Sequence, residues 1–452
     1  MIFLKKKITE KFRGALADKN FGEIFKGSII TFSARIIAMV LALLANVIVA
    51  KYYGAKIIGV LALVTSFLTI SGLFVTVGLN TSLLRLIPEQ LEKNNLLGAS
   101  AIFWLSVKIV SIAGFLVSLI AWFNVPFIAN KLFKNNELEH WLYLSVLLII
   151  IMNISAINGA AIRALKEIQL FAALQLFKSL FSITFLVVTT FWFYNLYNPF
   201  YTYFISLIIG AFASVFIVLR LFNRRPPLGQ LKSALECNSL DIIKTSWPMF
   251  LTSAMYLVVS QTDIVMLGAM TKPEDVGVYA IVMKLGLAVN FILTSINMVL
   301  GPKFAELYYR DDISGLASVA KKSSKLIVYC TAPFLLVLIL LGKPILGFFG
   351  DEFISGYTAL YFIALGQFVN AICGSVGYFM NMTGNQKVFC RIVFSGALLN
   401  IVLNVLLIPL YGITGAAIAS LLSVCLWNIV TLIFIKNKFG FYMGYLPFTK
   451  RL

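Results

Sequence analysis

Residues 28–50 read SIITFSARIIAMVLALLANVIVA, twenty-three residues with a single charge, Arg35. At 1.5 Å rise per residue, a helix of that length crosses a hydrocarbon core about 30 Å thick. The same reading recurs at 58–79, 97–122, 140–162, 168–191, 198–219, 246–269, 276–301, 326–342, 355–380, 392–410 and 412–435. Twelve spans take up most of the 452 residues, and with 60% apolar residues and 12% DEKR no soluble fold fits. The pattern predicts an all-α polytopic membrane protein. The polar segments between spans are too short to hold a soluble catalytic domain with its own core.

A net charge of +19 would suit nucleic acid, but the placement of the charge argues otherwise. Of the 37 Lys and Arg residues, 27 lie in the N-terminal segment, the even-numbered turns and the C-terminal segment. Only Lys51, Lys56, Lys131, Lys134, Lys272 and Lys343 lie on the opposite side. This asymmetry is the positive-inside rule, and it predicts that both termini are cytoplasmic. Residues 1–27 carry charge throughout and lack an apolar h-region, so the first span is expected to double as insertion signal. The five cysteines are scattered, the only histidine is His140, and no metal-type spacing occurs. No cofactor is expected.

The expected organisation is a cytoplasmic tail (1–27), a six-helix lobe (28–219), a basic cytoplasmic connector (220–245), a second six-helix lobe (246–435) and a cytoplasmic tail (436–452). In the connector, Leu228, Leu231, Leu235 and Ile242 suit either a short interfacial helix or a plain tether. Sliding the chain by 218 residues pairs 47–64 with 265–282, and Val47, Gly59, Val60, Ala62 and Val64 meet identical residues. Both windows cover the end of a helix, a tight turn and the next helix. Related halves suit a transporter whose site lies between two rocking lobes.

Charges inside spans cost several kcal/mol unless they meet water, a partner or substrate. They are Arg35, Lys108, Lys178, Asp263 and Lys284. Arg35 lies roughly 10 Å from the cytoplasmic end, and Lys108 and Lys178 roughly 15 Å. Arg35 shares a face with Asn46, Lys108 lies beside Ser111 and Ser118, and Lys178 shares a face with Ser182 and Thr189. The economical arrangement turns these cations into one hydrated cavity, which selects an anion such as a phosphate or pyrophosphate head group. Lysines near helix ends also snorkel, which is the plainer reading of Lys178. Asp263 and Lys284 fall at similar expected depth across a tight hairpin. Two readings stay open: an ion pair locking the hairpin, or Asp263 as the group that binds H+ or Na+. Amides inside spans, Asn400 and Asn404 among them, serve interhelical bonding first. No GxSxG, HExxH or P-loop is present, so no enzyme is predicted.

The stretches AKYYGAKIIGVLAL (50–63), GLNTSLLRLIPE (78–89), QTDIVMLGAMTKPEDVGVYAIVMKL (261–285) and ALLNIVLNVLLIPLYGITGAAIAS (397–420) resemble bacterial polysaccharide-export flippases. In that family Asp263, Gly277, Tyr279, Lys284, Asn400, Asn404, Pro409, Gly412 and Gly415 fall where such residues are placed. The resemblance implies the fold of the multidrug/oligosaccharidyl-lipid/polysaccharide exporter superfamily, two six-helix lobes around a central cavity. It also implies translocation of an undecaprenyl-pyrophosphate-linked oligosaccharide, an O-antigen or capsule repeat unit, across the bacterial inner membrane. A polysaccharide polymerase and a chain-length regulator are the implied partners. The lipid II flippase branch places an acid where this chain has Asn46, and it has extra C-terminal helices absent here. Arg35, Lys108, Lys178, Lys284 and Asn46 are the expected substrate-binding set. The rivals are a multidrug/cation antiporter of the same fold, with an acidic cavity, and a membrane polymerase or ligase, with a large external loop.

Overall fold

The structure, a computed structural model, describes residues 19–93, 95–223 and 239–445. Hydrocarbon offers no water to satisfy peptide groups, so each spanning segment must close its own hydrogen bonds. Among the described residues the regular elements are helical and no strand occurs. In chain order they are α1 (Lys19–Thr76), α2 (Leu79–Glu92), α3 (Leu96–Pro126), α4 (Asn136–Ala164), α5 (Ile168–Trp192), α6 (Asn198–Asn223) and α7 (Ser239–Met270). There follow α8 (Pro273–Ala288), α9 (Asn290–Tyr309), α10 (Ile313–Leu340), α11 (Gly342–Gly347), α12 (Tyr357–Cys373), α13 (Val376–Met382) and α14 (Gln386–Phe439). A π-helical turn, Phe127–Leu132, continues α3, and a 3-10 turn, Asp351–Gly356, leads into α12.

Eight helical stretches among the described residues are long and apolar enough to cross a membrane. Two of them are hairpins. Gly54 (φ 79°) breaks α1, and Gly412 (φ 54°) breaks α14. Only glycine takes such left-handed φ values without a Cβ penalty. Each hairpin crosses twice, and α7 and the broken pair α8–α9 supply two more crossings, so the twelve expected spans are present.

The differences from expectation lie in the polar segments. The stretch 80–96 is mostly helix: α2 buries Leu79, Leu83 and Ile87 along one stripe and exposes Arg85. A search for long apolar runs misses a helix that is apolar on one face only. The segment 302–325 is also largely helical. There α10 starts where an Asp312 carboxylate oxygen accepts the Gly315 N–H at 2.8 Å, a bond that, with one from Ser314, holds that carboxyl below the usual range. Of the connector 220–245, residues 220–223 continue α6, 239–245 with Ile242 open α7, and 224–238, with Leu228, Leu231 and Leu235 of the expected short helix, lie outside the described residues.

The chain forms two compact units. One comprises residues 19–45, 74–119, 147–223 and 239–249, and in it α5 packs along α6. The other comprises 46–73, 120–146 and 250–445, so it draws on both halves of the sequence. At its cation-rich end, Phe304, Phe379, Phe389, Phe441 and Met443 form a buried cluster. Residues 440–445 fold back onto this cluster, and the Tyr445 N–H donates to the Ile372 carbonyl at 2.9 Å.

At the cation-poor end of the second unit, the two windows related by the 218-residue repeat meet. A Cβ built on Gly59 would fall 1.8 Å from the Pro273 carbonyl oxygen, and one on Gly277 1.9 Å from the Ala55 carbonyl oxygen. Small residues that let backbones touch are the usual packing device between helices in lipid. Beside this crossing, Glu352 Oε1 accepts the Ala55 N–H at 2.7 Å and so caps the second arm of α1. An anion at a helix N-terminus is favoured by both the hydrogen bond and the helix dipole. A methyl group at the crossing must push the helices apart, and overpacking of this kind costs about 1–3 kcal/mol. Gly277→Ala is therefore expected to melt below wild type in detergent. Gly347→Ala, whose Cβ would meet nothing nearer than 3.8 Å, should melt with wild type. Equal melting of all three proteins would show that the close crossing contributes nothing.

Candidate functional site

Within the second unit, α7 carries Asp263, which is 1% exposed. A carboxylate at such a place must be answered by donors, and four groups answer it. Oδ1 accepts from Asn404 Nδ2 at 2.7 Å and from Asn400 Nδ2 at 3.1 Å. Oδ2 accepts from the Tyr279 hydroxyl at 2.6 Å and from the Ser420 hydroxyl. The spacing of Asn400 and Asn404, one turn apart on the first arm of α14, puts both amides on one face. Ser420 comes from the second arm, after the Gly412 break, and Tyr279 from α8. The hairpin turn at 271–272 sets Tyr279 level with Asp263.

The chemistry of the two carboxylate oxygens differs. Amide N–H groups can only donate, so Oδ1 is held as an acceptor. Hydroxyls can donate or accept, so the environment of Oδ2 can adapt to a proton on that oxygen. The neighbouring Asn404 Oδ1 is buried and has no hydrogen-bond partner. The surroundings of Asp263 are thus oxygen-rich, with the Asn404 acceptor still unfilled.

The ion pair between Asp263 and Lys284 does not form. Lys284 Nζ instead donates to Asn46 Oδ1 at 2.6 Å. The reason lies in the start of α8 at Pro273, three residues earlier than expected. Lys284 therefore sits five residues beyond Tyr279, about 7.5 Å deeper and about 140° around the helix. The contact does unite two expected site residues, Lys284 and Asn46.

The remaining expected residues lie in the first unit. Lys178 is half-buried, and its stem fills a notch in α6: a Cβ on Gly210 would fall 2.5 Å from Lys178 Cε and 2.7 Å from Cδ. Thr189, expected on the same face, spends its hydroxyl on the Phe185 carbonyl at 2.8 Å. Lys108 is exposed, on a strip of α3 shared with Ile112, Phe115 and Leu119. Neither lysine forms an ion pair among the described residues. The side chain of Arg35, on α1, lies outside the described residues.

The sequence offered no sign that Ser420 or Gly210 belongs to these arrangements, since a lone serine or glycine in an apolar run looks like helix packing. The one-turn spacing of Asn400 and Asn404 was the signal that could have paired them. Removing the acceptor leaves buried donors unsatisfied at about 1–3 kcal/mol each. Asp263→Leu is therefore expected to lower the melting temperature of the purified protein sharply. Asp263→Asn keeps the carbonyl for the two amides while the hydroxyls reverse, and should melt between Asp263→Leu and wild type. A leucine variant as stable as wild type would show that this cage does not hold the helices.

The comparisons with known proteins agree with this architecture. The family model described as "Polysaccharide biosynthesis protein" matches residues 24–308, and the MatE model matches 248–406. An uncharacterized membrane protein of Methanocaldococcus jannaschii, MJ1068, is 22% identical over 401 residues, 85% of this chain and 78% of its own length. The probable flippase AglR of Haloferax volcanii is 26% identical over 174 residues, 38% of this chain and 37% of AglR. Among solved structures, the lipid II flippase MurJ in an inward closed conformation matches with TM-score 0.73 and 16% identity, covering 90% of this chain and 87% of that one. An inward-facing multidrug resistance transporter of the MATE family matches with TM-score 0.70 and 12% identity, covering 91% and 98%. At such identities the structural likeness speaks for the fold, that of twelve-helix, two-lobe transporters. The chain belongs to the family described as "Polysaccharide biosynthesis protein".

Proposed function

We propose that this protein carries an undecaprenyl-pyrophosphate-linked oligosaccharide, an O-antigen or capsule repeat unit, from the cytoplasmic to the outer leaflet of a bacterial inner membrane. Alternating access is the mode of transport, and both termini are cytoplasmic. The observation that carries this reading is the set of cations inside spans that lack carboxylate partners. Lys108 and Lys178 form no ion pair among the described residues, and Lys284 is answered by the amide of Asn46. With Arg35 they offset the charge of a pyrophosphate as it leaves water, a transfer otherwise costing many kcal/mol. The polyprenyl tail stays in lipid throughout.

Asp263 is the coupling group in this reading. A proton on Oδ2, or a sodium ion that also engages the unfilled Asn404 oxygen, changes the bonds joining α7, α8 and both arms of α14. The ion gradient then resets the transporter. A polysaccharide polymerase and a chain-length regulator receive the product.

The MatE match over residues 248–406 favours a second reading, a multidrug/cation antiporter. Such a protein needs an acid that faces an organic cation, whereas Asp263 is enclosed by four neutral donors.

The test is the sidedness of lipid-linked oligosaccharides in cells depleted of the protein. Single repeat units should collect on the cytoplasmic leaflet, beyond reach of an impermeant sugar-modifying probe. Wild type should clear them, and Lys108→Gln/Lys178→Gln should not. Units that collect facing outward would point to polymerisation or ligation, and no accumulation would point to drug export. In the same cells Asp263→Asn should strip export of its dependence on the ion gradient.

A further inference from the structure

The cation-poor side of the chain carries six lysines, and three of them converge on one cleft of the second unit. Lys56, Lys134 and Lys272 line it together with Asn135, Asn136, Thr271 and the acid Glu137. Its volume is about 500 Å³, enough for a diphosphate with an attached sugar. Chains crossing a membrane keep lysine away from this side, so the concentration is unexpected on topological grounds.

The backbone adds to the positive field. The N-termini of α4, at Asn136, and of α8, at Pro273, both form part of the wall. Helices of 29 and 16 residues place the positive ends of their dipoles there. Of the acids in their first turns, Glu137 alone lines the cleft, and it is paired with Lys56 at 2.8 Å. Glu139 accepts from Asn130 at 2.8 Å instead. Lys134 and Lys272 are exposed and form no ion pair among the described residues.

Lys134 also adopts φ 48°, a left-handed conformation that costs a non-glycine residue about 1–3 kcal/mol. The turn is held from both sides, by the Phe133 N–H on the Ile128 carbonyl at 3.0 Å and the Asn135 N–H on the Ala129 carbonyl at 2.9 Å.

We propose that this cleft binds phosphate or diphosphate groups at the outer face of the membrane. Two sources share that chemistry: the diphosphate of lipid-linked cargo, which rests on the flippase reading, and the head group of an outer-leaflet anionic phospholipid.

The test uses the full chain in phosphatidylcholine nanodiscs and radiolabelled inorganic pyrophosphate. Wild type should bind it, Lys134→Gln/Lys272→Gln should bind about tenfold or more weakly, and Glu137→Gln should bind about threefold more tightly. The substituted residues are exposed, so unchanged elution and melting are expected of all three. Adding phosphatidylglycerol assigns the source. Loss of pyrophosphate binding identifies the lipid head group, and retention identifies the diphosphate. Absence of binding to wild type, or equal affinity in all three proteins, overturns the site. The measurement involves no transport, so a failed sidedness experiment leaves its outcome intact.

Discussion

A carboxylate held away from water inside the bilayer is the constraint around which the second unit is arranged. Asp263 cannot be left bare, because an uncompensated buried charge costs several kcal/mol. Its four donors come from α8, the helix that follows α7, and from both arms of α14, more than 130 residues further along the chain. The helix register in this region must therefore satisfy one group. The breaks at Gly54 and Gly412 and the crossing of Gly59 with Gly277 make that register attainable, since they let the returning arms approach within backbone contact.

The first unit treats its charges differently. Lys178 meets no acid among the described residues, and its stem lies in the notch left by Gly210. Its hydrocarbon is thereby packed while its ammonium is left unanswered by protein charge. One unit thus encloses an anion with neutral donors, and the other presents cations without anions.

The spans were legible because long apolar runs leave little choice of structure in lipid. The Gly59–Gly277 contact was legible in part, since the internal repeat had already paired those residues. The helix α2 was not, because its apolar stripe is diluted by Arg85 and Glu89. Asp263 drew notice as a charge at depth, yet that Tyr279 rather than Lys284 meets it follows from where α8 begins, three residues earlier than expected, and its other three partners come from α14. Tertiary placement of this kind leaves no mark on periodicity. Lys178 stood out as a charge, whereas Gly210 became meaningful only once α5 and α6 were seen side by side.

The cap on the second arm of α1 joins Ala55 to a glutamate 297 residues further along the chain. A ribosome adding about 5–20 residues each second reaches that glutamate about 15–60 s after it has made the alanine. The first hairpin therefore enters the membrane with its turn unfinished, its exposed N–H groups resting on water among the lipid head groups. Sealing of this edge waits on translation of the second half. A chain stalled before Glu352 would lack the acceptor that closes the Ala55 N–H of this hairpin.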